Sequence, residues 1–182
     1  MRPRLARIVA STIGLGLVVH GTVAQAELDP ILPSFTGRWH WVGGDNELRV
    51  LDTAIEACVA KMNVFIRGIA RRRIRKPNQP APEIVVAIDG VNLAFSRPDR
   101  PALSAPADGQ PIAWREPGGD WFRVSHGVDH GTMYQRFEGT SSLSLNRYRL
   151  DPTGRRMVVH TRITSKWLPV PIEFDTTYER TQ

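Results

Sequence analysis

The sequence predicts a mainly β protein: an antiparallel meander, closed or nearly closed into an up-and-down barrel, with one long helix inserted after the first strand. Short segments of alternating apolar and polar residues follow one another from Glu83 to Arg180, and tight-turn sequences separate them. The only long helical pattern covers about residues 45–76. Many short strands joined by tight turns are typical of such barrels.

The first 26 residues have the organisation of a secretory signal peptide. Three arginines among the first seven residues precede an apolar run from Ile8 to Val19, and Ala24-Gln25-Ala26 supplies the small residues of a cleavage site. A membrane anchor is the alternative, but a run of about twelve residues is shorter than the roughly 20 that a bilayer core requires. The sequence therefore predicts cleavage before Glu27, a periplasmic or secreted protein, and no transmembrane segment in the mature chain.

The mature chain, residues 27–182, has the length of a single domain. The net charge of the whole sequence is +6, and half of it comes from the three arginines of the leader, which contains no acid. The remaining charge is mild and scattered, so it argues against nucleic acid as a partner. The one cysteine, Cys58, excludes an intramolecular disulfide, and its place on an apolar helical stripe predicts a core residue.

The first strand is predicted over Phe35–Val42, and Gly43-Gly44 then leads into the helix. Apolar residues recur every three or four positions along the helical pattern of residues 45–76, so one helix face is predicted to pack on the sheet. Gly68 lies inside the pattern and predicts a bend, because glycine costs about 1 kcal/mol relative to alanine in a helix.

Basic residues are concentrated at the C-terminal end of the predicted helix. They are Arg71, Arg72, Arg73, Arg75 and Lys76. Cations suit the negative end of the helix dipole, so a solvated basic helix end is one interpretation. Contact with an anionic membrane surface is the other, since such surfaces attract basic clusters.

Short turn sequences bound the strands that follow the helix. These strands are predicted over Glu83–Ile88, Val91–Arg97, Pro111–Arg115, Asp120–His126, Thr132–Glu138, Leu143–Leu150, Arg155–Thr164 and Ile172–Arg180. Asp89-Gly90 is a strong signal for a two-residue hairpin. Pro98–Pro106 is predicted to be a loop, and Gly127–Gly131 is predicted to be a turn.

The segment Gly37-Arg38-Trp39 in the first strand resembles the Gly-x-Trp signature of the lipocalin-like (calycin) barrels. In that family the tryptophan closes the barrel floor and an arginine from the end of the meander stacks over it. The resemblance implies these structural roles for Gly37, Trp39 and Arg180, and it implies an apolar ligand inside the barrel, as in many relatives. The chain departs from the lipocalins in having no Thr-Asp-Tyr-like turn motif and no helix pattern after the last strand.

Several side chains are candidates for contact with a ligand inside such a barrel. The apolar candidates are Trp39, Phe65, Trp114 and Met133, and the candidates for an anionic head group are Arg123 and Arg136. Ligand sites combine mostly apolar walls with a few polar groups, and these residue types fit that description.

Two histidines and a carboxylate lie around one predicted turn: His126, Asp129 and His130. A zinc site needs three or four converging ligands, and the neighbouring glycines are typical of an ordinary turn, so no metal site or cofactor is predicted. No Gly-x-Ser-x-Gly motif is present, and Cys58 belongs to the apolar stripe. An enzyme is the less favoured class, although strand carboxylates such as Asp120 leave acid–base chemistry open.

These observations favour an exported, non-enzymatic domain that binds an apolar or amphipathic, lipid-like small molecule inside a β-barrel, with the helix as a plug or lid. The alternative is an envelope interaction protein with a packed interior, which binds another protein through the helix or the proline-rich loops. An internal apolar cavity distinguishes the two hypotheses.

Overall fold

The structure is a computed structural model, and it describes residues 28–181. The predicted signal peptide lies outside the described residues. The helices are α1 (Leu32–Phe35), α2 (Gly44–Val59) and α3 (Arg67–Arg75), and a 3-10 turn follows at Lys76–Asn78. The strands are β1 (Gly37–Trp41), β2 (Glu83–Asp89), β3 (Asn92–Arg97), β4 (Arg100–Pro106), β5 (Ile112–Arg115), β6 (Trp121–Asp129), β7 (Thr132–Glu138), β8 (Ser142–Leu150), β9 (Arg156–Ser165) and β10 (Ile172–Arg180).

The strands form one ten-stranded sheet in the order β4-β3-β2-β1-β10-β9-β8-β7-β6-β5. The ladder between β1 and β10 is antiparallel and joins the first strand to the last, with Trp39 opposite Arg180. Strands β4 and β5 are the two edges of this order, so the barrel is nearly closed and has one open side, which we call the seam. The predicted up-and-down barrel, with its helical insertion after the first strand, is confirmed.

The helical insertion is a hairpin of two helices, and the prediction of one helix over residues 45–76 is wrong. Residues 60–66 separate α2 from α3, so the chain turns before Gly68. In this turn the Asn63 side chain accepts a hydrogen bond from the Phe65 N–H (3.0 Å), and Arg67 donates to the carbonyls of Ala60 and Met62. Satisfying the free carbonyls at the end of α2 stabilises its termination there.

The two helices run antiparallel, and two ion pairs lie between them. Arg71 pairs with Glu56, and Arg75 pairs with Asp52 at 2.8 Å. All four side chains are between 40% and 50% exposed, so each pair adds little to stability. The pairs nevertheless fix which face of α3 turns toward α2.

Two strand boundaries also differ from the prediction. Residues predicted as a loop contain β4, which pairs with β3 at an edge of the sheet. Proline is tolerated in edge strands because its missing N–H does not interrupt a ladder on the outer side, which explains Pro101 and Pro106. The predicted turn Gly127–Gly131 is shorter, because β6 continues to Asp129. His130 and Gly131 then form a two-residue turn with positive φ angles of 48° and 72°.

Arg180 and Trp39 close the end of the barrel that lies away from α2 and α3. Trp39 is fully buried and donates its indole N–H to the Phe35 carbonyl at 2.9 Å. The guanidinium carbon of Arg180 lies 4.3 Å from the centroid of the Trp39 ring. Gly37 has a φ of +130°, and a Cβ at this position would lie 2.9 Å from a nitrogen of Arg180. Glycine is therefore required where the arginine crosses β1.

Two groups of buried apolar residues stabilise the barrel. The floor cluster lies around Trp39 and includes Leu32, Phe35, Leu93, Met133 and Met157. The helix cluster joins α2 to the start of β10 and consists of Leu51, Ile55, Cys58, Val59, Ile172 and Phe174. Cys58 is buried in the helix cluster, as its position on the stripe predicts, and its thiol lies 3.4 Å from the Val170 carbonyl.

The helix cluster predicts a large effect of truncating Ile55, which is 1% exposed. Ile55→Ala should lower the free energy of unfolding by about 2–5 kcal/mol, as large-to-small core substitutions do. Val50→Ala is the matched control, because Val50 lies on the same helix and is 48% exposed. Its loss should stay below about 1 kcal/mol. Urea denaturation measures both values, and equal small losses would show that α2 does not depend on packing against the barrel.

Candidate functional site

A cavity of about 300 Å³ lies inside the barrel and is lined by members of both clusters. Phe95, Tyr148 and Val159 of the floor cluster line it together with Phe174 of the helix cluster. Its volume falls at the lower end of the range of small-molecule sites. The core of the barrel is therefore divided, with packed side chains at the floor and free space beside residues 77–81, the segment that follows α3.

One wall of the cavity is aromatic. Trp114 of β5, Phe122 of β6 and Phe137 of β7 all line it, and their ring centroids lie 5.9–6.3 Å apart. Such distances are typical of aromatic side chains that pack edge to face or with tilted rings. Three neighbouring strands thus present a continuous apolar surface to the interior.

Another part of the cavity lining is polar. We call it the polar wall, and it consists of Gln135, Asn146, Tyr148 and Thr161. The side-chain oxygen of Gln135 accepts hydrogen bonds from the Tyr148 hydroxyl (3.2 Å) and from the Asn146 amide (3.5 Å). Thr161 donates to the Asn146 side-chain oxygen at 2.9 Å. All four residues line the cavity, and they connect β7, β8 and β9 through neutral groups.

His126 lies behind the polar wall and links β6 to β3 across the seam. Its Nδ1 lies 2.8 Å from the Leu93 carbonyl, which can only accept, so Nδ1 carries the proton. Its Nε2 lies 3.0 Å from the Gln135 amide nitrogen and therefore accepts. Burial lowers the pKa of His126 to about 4, so the ring is neutral at physiological pH. The neutral imidazole thus fixes the orientation of the Gln135 amide.

The two buried phenols of the cavity are also neutral. Burial raises the pKa of Tyr178 to about 12, and burial also raises the pKa of Tyr148. A phenol that cannot ionise near neutral pH keeps its hydroxyl hydrogen and acts as a hydrogen-bond donor. The positive charge of Arg97 opposes this rise in both pKa values but does not cancel it, so the two hydroxyls are neutral.

Among the described residues that line the cavity, the charged ones are Arg97, Arg100 and Glu116, whose side chains are 23–27% exposed. Arg97 donates two hydrogen bonds to the Asp99 carboxylate, at 3.0 and 3.1 Å. Arg100 lies 3.5 Å from Asp99 and 3.7 Å from Glu116, and it donates to the Pro77 carbonyl at 2.9 Å. Partial burial favours a raised pKa for Asp99, but the hydrogen bond and charge of Arg97, with the charge of Arg100, lower it. The rim is thus electrically balanced.

The structure brings only one of the predicted lining residues, Trp114, to the cavity. Trp39 and Met133 are packed in the floor cluster, and Phe65 is 87% exposed in the turn between α2 and α3. Arg123 and Arg136 are exposed on the outer face of the barrel. They alternate with inward residues, namely Phe122 and Val124 in β6 and Gln135 and Phe137 in β7, so the pleat of each strand turns the arginines outward.

The three candidate metal ligands are not brought together. His126 is fully buried inside the barrel, whereas His130 is 96% exposed at the hairpin and pairs there with Asp129 at 2.6 Å. Within residues 28–181, no three His, Cys, Asp or Glu side chains are placed to hold a metal ion.

Sequence reasoning missed the polar wall, although a signal was present. Gln135 lies between Met133 and Phe137 in the inward positions of β7, and Thr161 lies between Val159 and Ile163 in β9. A polar residue in an otherwise apolar inward row is a buried polar group that needs a partner. Such residues indicate a functional or structural network.

The turn between α2 and α3 exposes apolar side chains beside basic ones. We call Val64, Phe65, Ile66, Ile69, Arg72 and Arg73 the hairpin patch. Its apolar members are 51–87% exposed, and Ile69, Arg72 and Arg73 share one face of α3 because they are three and four positions apart. In the described part of the chain, the helices are too short or too polar to cross a membrane.

The depressed pKa of His126 predicts a specific dependence of stability on pH. The unfolded chain takes up a proton on this residue near pH 6.5, whereas the folded chain resists it down to about pH 4. Stability from the neutral ring is therefore complete above pH 6.5 and is lost as the pH falls toward 4, by about 3 kcal/mol in total. Urea denaturation at several pH values measures this loss.

The control for this prediction is His126→Gln, which keeps an N–H donor but does not titrate. Its free energy of unfolding should be lower at neutral pH and should decline less steeply between pH 6.5 and 4. The carboxylates are common to both proteins and contribute equally to the two curves. Parallel curves would show that His126 does not carry the pH dependence.

Comparison with known proteins supports the fold alone. Neither a protein-family model nor a curated protein sequence matches the chain. Among solved structures, lipid binding protein 8 of Caenorhabditis elegans matches with a TM-score of 0.54 and 14% identity, over 86% of this chain and 100% of that one. A secretory abundant heat soluble protein of Ramazzottius varieornatus matches with a TM-score of 0.51 and 9% identity, over 81% and 96%. Fatty-acid-binding protein 1 of Echinococcus granulosus has a TM-score of 0.49 and 12% identity, over 82% and 99%. The chain therefore has the same β-barrel fold as lipid binding protein 8 and the secretory abundant heat soluble protein.

Proposed function

We propose that this protein is an exported, non-enzymatic domain that binds an apolar or amphipathic, lipid-like small molecule inside its barrel. The observation that carries the proposal is the cavity between the floor cluster and the helix cluster. Protein interiors are normally close-packed, so a space of about 300 Å³ with an aromatic wall is a feature to be explained. It disfavours the alternative of an interaction protein with a packed interior.

The helical hairpin serves as a lid in this proposal. Residues 77–80, which follow α3, form part of the rim, and Arg100 ties them to the barrel through the Pro77 carbonyl. The same guanidinium approaches Glu116 beyond the seam. A ligand entering beside the rim would separate these partly exposed contacts, which are weak enough to reopen.

Export is part of the proposal and rests on the leader sequence. The arginines, the short apolar run and Ala24-Gln25-Ala26 support passage out of the cytoplasm. A carrier outside the cytoplasm is a consistent role, because lipid-like molecules need shielding from water to cross an aqueous compartment.

One experiment tests export and ligand binding together. Native mass spectrometry of protein recovered from the periplasm of its own host should show a chain that begins at or near Glu27 and a bound molecule of small mass. After delipidation, the neutral dye N-phenyl-1-naphthylamine should bind in the emptied cavity and fluoresce. A chain that retains Met1 would contradict export.

A pair of tryptophan variants locates the dye. Ile163→Trp fills the cavity from β9 and should weaken dye binding at least about tenfold, since added volume excludes the ligand. Arg162→Trp is the matched control, because Arg162 precedes Ile163 in the same strand but lies on the outer face, where its side chain is 50% exposed. Folding of both is checked by thermal denaturation. Equal dye binding in the two folded variants would rule out the cavity as the site.

We further propose that the hairpin patch contacts an anionic lipid surface. Arg71 and Arg75 are engaged with Glu56 and Asp52, so the exposed charge comes from Arg72, Arg73 and Lys76. Exposed apolar side chains beside cations are suited to the interface of an anionic bilayer. Trp167 lies in the turn before β10 and is 72% exposed, with the Lys166 ammonium 4.7 Å from its ring. The same turn packs against the helix cluster through Leu168.

Vesicle sedimentation tests this contact. The protein should bind vesicles of phosphatidylcholine mixed with phosphatidylglycerol more tightly than phosphatidylcholine alone, and Phe65→Asp should weaken binding about tenfold. Val91→Asp is the control, because Val91 is 41% exposed at the opposite end of the barrel. Equal binding to both lipid mixtures, or equal losses in both variants, would contradict the proposal.

A further inference from the structure

We propose that the ligand places an uncharged hydrogen-bonding group, such as a hydroxyl or an amide, against the polar wall, and that the cavity disfavours a carboxylate there. This inference rests on the proposed function and specifies the chemical class of the ligand. It follows from the distribution of charge and hydrogen-bonding groups around the cavity.

The cations of the cavity are not available to an anion. Among the described lining residues, the charged side chains are Arg97, Arg100 and Glu116, which are 23–27% exposed. The charge of Arg97 also acts on the nearby Tyr148 and Tyr178 hydroxyls. Asp99 holds Arg97 with two hydrogen bonds and lies 3.5 Å from Arg100. A carboxylate that approached Arg97 would therefore come close to a second carboxylate, and like charges at short distance repel.

The deeper polar groups are neutral, and their orientations are fixed. His126 donates through Nδ1 to Leu93 and therefore accepts through Nε2, which directs the Gln135 amide nitrogen toward the ring. The Gln135 oxygen then faces the wall and accepts from Tyr148 and Asn146. His126 acts through Gln135 and is a positioning residue.

The polar wall can both donate to and accept from a ligand. The amide of Asn146 has two N–H groups and uses one toward Gln135, while its oxygen accepts from Thr161. The hydroxyl oxygens of Tyr148 and Thr161, which act as donors in these bonds, retain lone pairs that can accept. A hydroxyl or amide of a ligand matches such a mixed surface, because it also donates and accepts.

A carboxylate at the polar wall would lose more hydration free energy than its new hydrogen bonds return. It accepts only, and it must give up its hydration in an interior whose wall contains no cation. Neutral donors compensate this loss in part, whereas a hydroxyl loses less hydration and regains its bonds in full. Head-group chemistry should therefore separate ligands that have the same chain.

Competition with N-phenyl-1-naphthylamine tests the inference on the delipidated full-length mature protein. The probes are decanol, decanamide and decanoate, which share a chain length, at a pH where decanoate is ionised. Decanol or decanamide should displace the dye at a concentration at least about tenfold lower than decanoate. Decanoate that binds as tightly as decanol, and is weakened by Arg97→Met, would overturn the inference.

Variants assign the preference to the polar wall. Asn146→Leu and Thr161→Val each remove polar atoms at nearly constant volume and should weaken decanol about tenfold while dye binding is retained. Arg123→Met, on the outer face, is the control and should leave decanol binding unchanged. A preference for decanol that survives both wall variants would overturn the assignment. Failure of the dye and of all three probes to bind would instead contradict the proposed function itself.

Discussion

The contact between Arg180 and the first strand is the constraint on which the barrel depends. Arg180 covers the Trp39 ring and also donates to the carbonyls of Ser34, Thr36 and Gly154. One side chain near the C-terminus therefore fixes α1, β1 and the turn before β9. Because these segments are far apart in sequence, the contact closes the chain on itself. It seals the floor and leaves the other end free for helices.

Closure at the floor and opening at the seam have different physical causes. The ladder between β1 and β10 is continuous, whereas residues between β4 and β5 close the seam by separate bonds. Ala107 donates to the Val91 carbonyl and Gly109 donates to the His126 carbonyl. With the His126 side chain on Leu93, these bonds hold the seam together near the floor. Beside the cavity, the partly exposed contact between Arg100 and Glu116 spans the seam instead.

The resemblance of Gly37-Arg38-Trp39 to a family signature predicted the floor, whereas the helical periodicity did not predict the turn between α2 and α3. Gly37, Trp39 and Arg180 meet as that resemblance implies, because the glycine leaves room for the arginine over the tryptophan ring. The apolar spacing of the helix, in contrast, continues through residues 60–66, so periodicity alone does not reveal the break. The turn there depends on the side chain of Asn63 and on Arg67, which binds carbonyls of α2. Such capping contacts compete with helix propagation without altering the apolar pattern.

The cavity was only partly predictable because alternation gives the face of a side chain and not its depth in the barrel. Met133 and Gln135 are both inward residues of β7, yet the first packs in the floor and the second lines the cavity. The alternation of side chains along β6 and β7 already places Arg123 and Arg136 on the outer face. The sequence alone could therefore have excluded these two residues from the cavity. Depth depends on how β7 is tilted and staggered against its neighbours, which is a property of the closed barrel.

The polar wall is compatible with a stable core because its hydrogen bonds are made within the protein. In the described residues, no fully buried side-chain nitrogen or oxygen lacks a partner. A network of this kind rigidifies an interior, whereas a partly satisfied one destabilises it. Neutral His126 fixes the orientation of Gln135 at one end of the network. The ladders between β7, β8 and β9 position the other members. The hydrogen bonds of the polar wall thus have fixed directions, and the wall residues are uncharged. The aromatic part of the cavity lies beside them. The site that we propose for an uncharged amphipathic molecule would use both parts, whereas a packed interaction domain would use neither.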